Sequence, residues 1–189
     1  MPGIALFPTP LFVFHPPEVS ALCDEVTALL LAERQRDPDR DVRDDGGSWH
    51  SAPDLAGRPD EIWQRLAQEF VDGVSAAFRE FAASEGWGTV MPPGAYSTLH
   101  EHHEAHWSAV FYADVGDPGP PPSGALALVD PRRVPPACAG VTLYPSTFTL
   151  RPENGMLVVF PSWLQRYVHP HDGTRPQVSV AANVHLERR

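Results

Sequence analysis

The chain contains no lysine: all 14 of its basic residues are arginine, set against 24 acidic residues for a formal net charge of −10. Without a side-chain amine there is no Schiff-base chemistry, and any anion must be held by arginine, by dipoles or by a metal ion. The same shortage of clustered positive charge argues against a nucleic-acid partner, since phosphate binding depends on it. Cysteine is scarce too. Cys23 falls in an apolar helical pattern and Cys138 in a Pro-rich loop, with no C-x-x-C spacing, which fits two unpaired thiols in a reducing compartment. No stretch approaches the roughly 18 apolar residues of a membrane helix. The start Met1-Pro2-Gly3-Ile4-Ala5-Leu6-Phe7-Pro8 lacks the basic opening of a signal peptide, so a cytoplasmic protein with no membrane partner is expected.

What is present is a chain of 189 residues, 42% hydrophobic, long enough for one domain with a core of its own. Pro8 and Pro10 confine the segment from Ile4 to Phe14 to an edge strand or a bent strand pair. Val19, Leu22, Val26, Leu29 and Leu30 then follow helical spacing. A second helix is expected from Pro59-Asp60-Glu61, with Ile62, Leu66, Phe70, Val74, Phe78 and Phe81 on one face until Gly86. From Trp87 onward short β-rich runs alternate with Pro and Gly: 95–102, 107–115, 124–129, 148–150, 156–160, 166–169 and 177–185. The loops 116–122 and 134–136 read as connectors. Two helices followed by many short strands predict a mainly β domain over 1–189, with an edge strand and two supporting helices in 1–86 and barrel strands in 87–189.

Four of nine histidines and two carboxylates crowd into His100-Glu101-His102-His103-Glu104-Ala105-His106, directly before the apolar run Trp107 to Tyr112. Side chains at i and i+2 of an extended strand share a face, so His100 and His102 can converge on one ion at a barrel mouth. His106 is the first candidate for a third ligand, with His169 and His171 as alternatives. Strand alternation puts His169 on the face opposite Arg166, so it would need a bulge to point inward.

The pattern Gly94-x5-His100-x-His102, with Gly155-x5-Pro161 some fifty residues on, is similar to the two half-motifs of the cupin barrel. A resemblance running from residue 6 to residue 183 is more specific. It is carried by Leu6-Phe7-Pro8-Thr9-Pro10-Leu11-Phe12, Gly46-Gly47-Ser48-Trp49-His50-Ser51, the His100-x-His102 pair with Trp107 to Tyr112, Asp130-Pro131-Arg132 and Phe160-Pro161-Ser162-Trp163-Leu164. Together these resemble a bacterial family of 2-oxoglutarate/Fe(II) oxygenases. The resemblance implies a double-stranded β-helix (jelly-roll, cupin-like) with iron at the open end of the barrel. It implies His100 as the first iron ligand and His102 at the second position. The family's distal histidine falls at Arg166, and its arginine for the remote carboxylate of 2-oxoglutarate falls at Gln177 in Gln177-Val178-Ser179-Val180-Ala181-Ala182-Asn183.

Both departures bear on chemistry. A guanidinium cannot coordinate a metal and repels a cation unless an anion lies between them. A glutamine cannot form the charge-assisted fork that arginine offers a carboxylate. The expected function is therefore a non-haem oxygenase or oxidase acting on a small anionic metabolite. His100, His102 and His106 would hold Fe(II) or another divalent metal, Arg166 would orient the substrate, Tyr96 and Gln177 would line its site, and 2-oxoglutarate use is doubtful. A metal-dependent lyase or isomerase, or a non-catalytic binder of a small ligand, is the alternative, and the oligomeric state stays open, a homodimer included.

Overall fold

The computed structural model describes residues 8–40, 46–77, 82–117, 119–132 and 146–185. Cys138, the connector 134–136, Phe78, Phe81 and the stretch 4–7 lie outside them. Among the described residues ten strands form two antiparallel sheets: β1 (Phe12–Phe14), β2 (Trp49–His50), β3 (Ala82–Met91), β4 (Ser97–His100), β5 (Trp107–Asp114), β6 (Leu126–Val129), β7 (Thr147–Leu150), β8 (Leu157–Pro161), β9 (Arg166–Val168) and β10 (Gln177–His185). The six-stranded sheet runs β1-β8-β5-β10-β3-β2 and the four-stranded sheet β4-β9-β6-β7. Two helices, α1 (Ser20–Arg36) and α2 (Glu61–Ala77), pack on the outer face of the larger sheet. This is the mainly β, helix-clad jelly roll expected from the alternation of short strands and turns.

Strand parity divides the interior into two cores. Ala109, Phe111 and Ala113 of β5, Leu157 and Val159 of β8, and Val178, Val180, Ala182 and Val184 of β10 face the helices, against Leu22, Val26, Leu30, Leu66 and Phe70. The other parity, with Val110 and Tyr112 of β5 and Val158 and Phe160 of β8, faces Leu126, Leu128 and Val168 of the smaller sheet. β5 and β8 are thus apolar on both faces where the sheets overlap, which explains their near-continuous hydrophobic runs.

Among the described residues β1, which follows Pro8 and Pro10, pairs with β8 alone and forms an edge of the larger sheet. The bounds of β10 match the expectation. The second helix does not: it ends at Ala77, and residues 82–86, expected to be helical, belong to β3, which continues to Met91 and pairs with β10 along its length. Its run Ala82-Ala83-Ser84-Glu85-Gly86-Trp87-Gly88 is poor in β-branched residues, so propensity gave no strand signal and tertiary pairing decides. Gly88 has a packing reason to be there. A Cβ at that position would lie 2.2 Å from Leu30 Cδ2, so the bare backbone lets α1 sit down on β3.

Gly94 and Gly155, at the heads of the two half-motifs, adopt φ of +81° and +78°, the left-handed turn that feeds β4 and β8. A carboxylate closes the neighbouring loops. Asp117 accepts hydrogen bonds from the Thr174 and Arg175 backbone N–H groups at 2.7 and 2.6 Å and from Thr174 Oγ1 at 2.6 Å. The Thr174 hydroxyl first, then the Arg175 and Thr174 amides, hold its carboxyl well below the usual range. A depressed folded pKa contributes stability that is present at neutral pH and lost as pH falls from roughly 4 downward. Thermal melts at stepped pH should show Asp117→Asn less stable at pH 7, with a shallower loss below pH 4 than the parent. Parallel acid limbs would refute this assignment.

Candidate functional site

Between the two sheets lies a cavity of about 420 Å³, lined by residues of both. His100, the last residue of β4, and His102, two residues on, both line it, with ring centroids 5.5 Å apart. The loop between them and β5 is tied down by the His102 N–H, which donates to the Ser162 carbonyl at 3.0 Å. Sequence alternation and the local fold therefore agree on this pair.

Both rings are oriented through Nδ1. The His100 Nδ1–H donates to the Thr98 carbonyl at 2.7 Å, and the His102 Nδ1–H donates to Asn183 Oδ1 at 2.8 Å. The Asn183 amide is itself fixed in sense, because its Nδ2 donates to Glu85 Oε2 at 3.4 Å. Acceptors on both Nδ1 positions put the proton there and leave the lone pair of each neutral ring on Nε2, the arrangement of metal-bound histidines. Glu85, Asn183 and the histidine form a chain across β3 and β10, where Asn183 and Glu85 stand opposite each other in register. Sequence reading gave Asn183 no role. Its parity with Gln177 on β10 was the available signal.

Arg166 opens β9 directly opposite His100 in the strand pairing. It is 4% exposed and lines the cavity. Its guanidinium rests 5.2 Å above the Phe160 ring and makes one long hydrogen bond, from Nη1 to the Ser162 carbonyl at 3.4 Å. Among the described residues no carboxylate lies within ion-pair distance of it; Glu101, which also lines the cavity, pairs with His103 Nε2 at 2.9 Å. Burial pulls the Arg166 pKa down to about 10, with the charges of Glu101 and Tyr112 opposing the shift. It remains a cation at neutral pH. Five N–H donors with one long partner make a buried cation that is poorly satisfied by protein alone.

The other expected residues are distributed as follows. Gln177 lines the cavity but is buried, with Nε2 donating to the Gly124 carbonyl at 3.3 Å. Tyr96 is 42% exposed and lies against Gly46, outside the lining. The expected third ligand is not brought to the pair: His106 is exposed, its ring edge-on to His185 with centroids 5.9 Å apart. The loop after His102 turns before reaching β5 and carries His106 to the outer rim. His169 packs on Tyr167, and His171 is fully buried, with Nε2 on the Arg175 carbonyl at 2.6 Å. Cys23 has its thiol pushed up to about 11, by burial first and by Asp24 next, so it is no nucleophile at neutral pH.

Among the described residues no three His, Cys, Asp or Glu side chains converge as a metal site. The imidazole pair fits a divalent ion in tautomer and placement, but the position facing it supplies a cation and not a third ligand. The residues do not fit a 2-oxoglutarate held from β10, because Gln177 is neutral and its amide is engaged with Gly124.

Comparison with known proteins gives the family and the fold. The family model described as "Putative 2OG-Fe(II) oxygenase" matches residues 85–183. The structure is similar to a Pseudomonas putida prolyl-4-hydroxylase (20% identity, 95% of this chain and 94% of that one, TM-score 0.62). It is also similar to iron-bound HygX from Streptomyces hygroscopicus (14% identity, 94% and 82%, TM-score 0.65). A Burkholderia pseudomallei oxidoreductase of the 2OG-Fe(II) oxygenase family matches at 14% identity over 93% and 84%, with TM-score 0.56. No curated protein matches by sequence.

Proposed function

Because the chain belongs to the 2OG-Fe(II) oxygenase family of oxidoreductases, we propose that it is a metal-dependent oxidoreductase with an altered metal shell, acting on a small anionic substrate. The substrate's acidic group is received by Arg166 beside a divalent ion, Fe(II) first among candidates, held by His100 and His102. The observation that carries this reading is the buried guanidinium of Arg166, which lines the same cavity as the histidine pair, stands beside His100 in the β4–β9 register and makes one long hydrogen bond to protein.

An anion between Arg166 and the ion removes the repulsion the two cations would otherwise feel and completes the hydrogen bonding of the guanidinium. When bound, the iron supplies a centre for O2 activation and a Lewis acid for a coordinated carboxylate. The chain's own residues orient the imidazoles through Thr98 and Asn183, hold the acid through Arg166, and exclude bulk water with Trp87, Val110 and Leu126. The family's 2-oxoglutarate chemistry is not carried over, since nothing on β10 offers that carboxylate a charge.

A non-catalytic binder of small acids is the second reading, favoured by the lack of a three-ligand set among the described residues. Titration with Mn(II) or Fe(II) under anaerobic conditions separates the two. One ion should bind, and His100→Ala should weaken it by roughly tenfold or more, the scale of lost ligand and outer-sphere contacts. Equal binding by parent and His100→Ala, or none by either, leaves the binder reading. Substrate-dependent O2 uptake distinguishes oxidative chemistry from a lyase or isomerase on the same barrel.

A further inference from the structure

Four residues stand in one row across the larger sheet, from the exposed Glu85 on β3 through Asn183 on β10 to the buried Ser108 on β5 and Phe160 on β8, each opposite the next in register. Three of them have visible work. Glu85 fixes Asn183, Asn183 fixes His102, and Phe160 carries the guanidinium of Arg166. Ser108 stands between the residue that orients the histidine and the ring that seats the cation. It is 2% exposed, it lines the cavity, and its Oγ is buried without a hydrogen-bond partner. A buried hydroxyl left unbonded costs stability, and a valine or alanine would pack there without that cost.

We infer that Ser108 is a ligand-contacting residue: its hydroxyl donates to the carboxylate that Arg166 receives, on the side nearer His102. This deepens the reading under Proposed function and rests on it. Serine has a single heavy-atom torsion with three staggered wells, so aiming Oγ at an incoming oxygen needs no backbone movement. The substrate class follows as a small acid whose carboxylate accepts from a guanidinium and a hydroxyl at once, its remainder facing Val110 and Leu126. Ser48, the other buried unpartnered serine on the cavity wall, leads into β2 and so sits at the Gln177 end. Gln177 and Asn183 are six residues apart on β10, about 20 Å of strand, so Ser48 cannot share the same carboxylate.

The test uses the full chain and two probes, acetate and succinate, followed by calorimetry and by the NMR shifts of the Arg166 side chain. Ser108→Ala should bind either probe roughly tenfold more weakly than the parent, the scale of one hydrogen bond to a charged group. Arg166→Met should abolish binding. In the absence of probe, Ser108→Ala should melt at the same temperature as the parent or higher, since it deletes an unsatisfied hydroxyl; a serine with a structural hydrogen bond would instead melt lower. If Ser108→Ala binds like the parent while Arg166→Met does not, the serine has no ligand role and the Arg166 anion site stands. If the parent binds neither probe, the anion site itself falls, and this inference with it.

Discussion

Arg166→His should bind a divalent metal ion at least about 100-fold more tightly than the parent, with Co(II) giving a visible spectrum that reports the new coordination. The pairing of β4 with β9 sets residue 166 directly across from His100, where facing side chains stand close enough to share a ligand. The substitution removes a unit positive charge and adds an imidazole in one step. A guanidinium at roughly 6 Å from a divalent ion, in an effective dielectric of about 20, opposes binding by on the order of 5 kcal/mol, and half of that is already about 100-fold. Arg166→Gln separates the two contributions, since it removes the charge without adding a ligand. The same Arg166→His protein should lose affinity for small carboxylates. Unchanged metal affinity in both variants would mean that the guanidinium does not face the imidazole pair, and the proposed function would lose its basis.

The largest stability loss is expected from Phe160→Ala, about 3–5 kcal/mol in urea denaturation. Phe160 is fully buried between the sheets, packed with Tyr112, Leu126, Leu128 and Val158, so truncation forfeits its transfer free energy and leaves a void that a β-sheet core closes poorly. Phe111→Ala, in the core under the helices, should cost a similar amount. The two differ in function. Phe160 carries the Arg166 guanidinium, so its loss should weaken carboxylate binding as well, whereas Phe111→Ala, measured below its melting temperature, should bind acids like the parent. Equal carboxylate affinity in both would show that the ring under Arg166 is packing alone.

The placement of the candidate residues His100, His102 and Arg166 could be read from residue order because two local rules sufficed. Alternation along β4 and the loop after it put His100 and His102 together, and the distance from Trp163-Leu164 put Arg166 at the head of a strand. Burial of Arg166 and its pairing with His100 then follow from the antiparallel register of β4 and β9. His106 could not be placed that way. It is four residues beyond His102, across a turn, and chain proximity says nothing about which side of a turn a ring will take. The row Glu85, Asn183, Ser108 and Phe160 was equally hidden, since it exists only where β3, β10, β5 and β8 lie side by side. Part of β3 was missed for a related cause: its alanines, glycines and glutamate carry no strand preference, and its identity comes from pairing with β10. By contrast β10, with alternating valines bounded by Pro176, declared both ends.

Two contacts at the mouth of the barrel run from one sheet to the other: the segment leaving β4 reaches Asn183 on β10 through His102, and β9 reaches Phe160 on β8 through Arg166. Whatever is bound there is held by two halves of the fold that must separate for the chain to unfold. Occupancy then adds RT ln(1 + [L]/Kd) to the stability of the folded state, about 2.7 kcal/mol at a hundredfold excess over the dissociation constant. Because the unfolded fraction is what proteases remove, the steady-state amount of this protein would track the supply of its own ligand. The mouth of the barrel would then serve as a gauge of that supply as well as a place for chemistry.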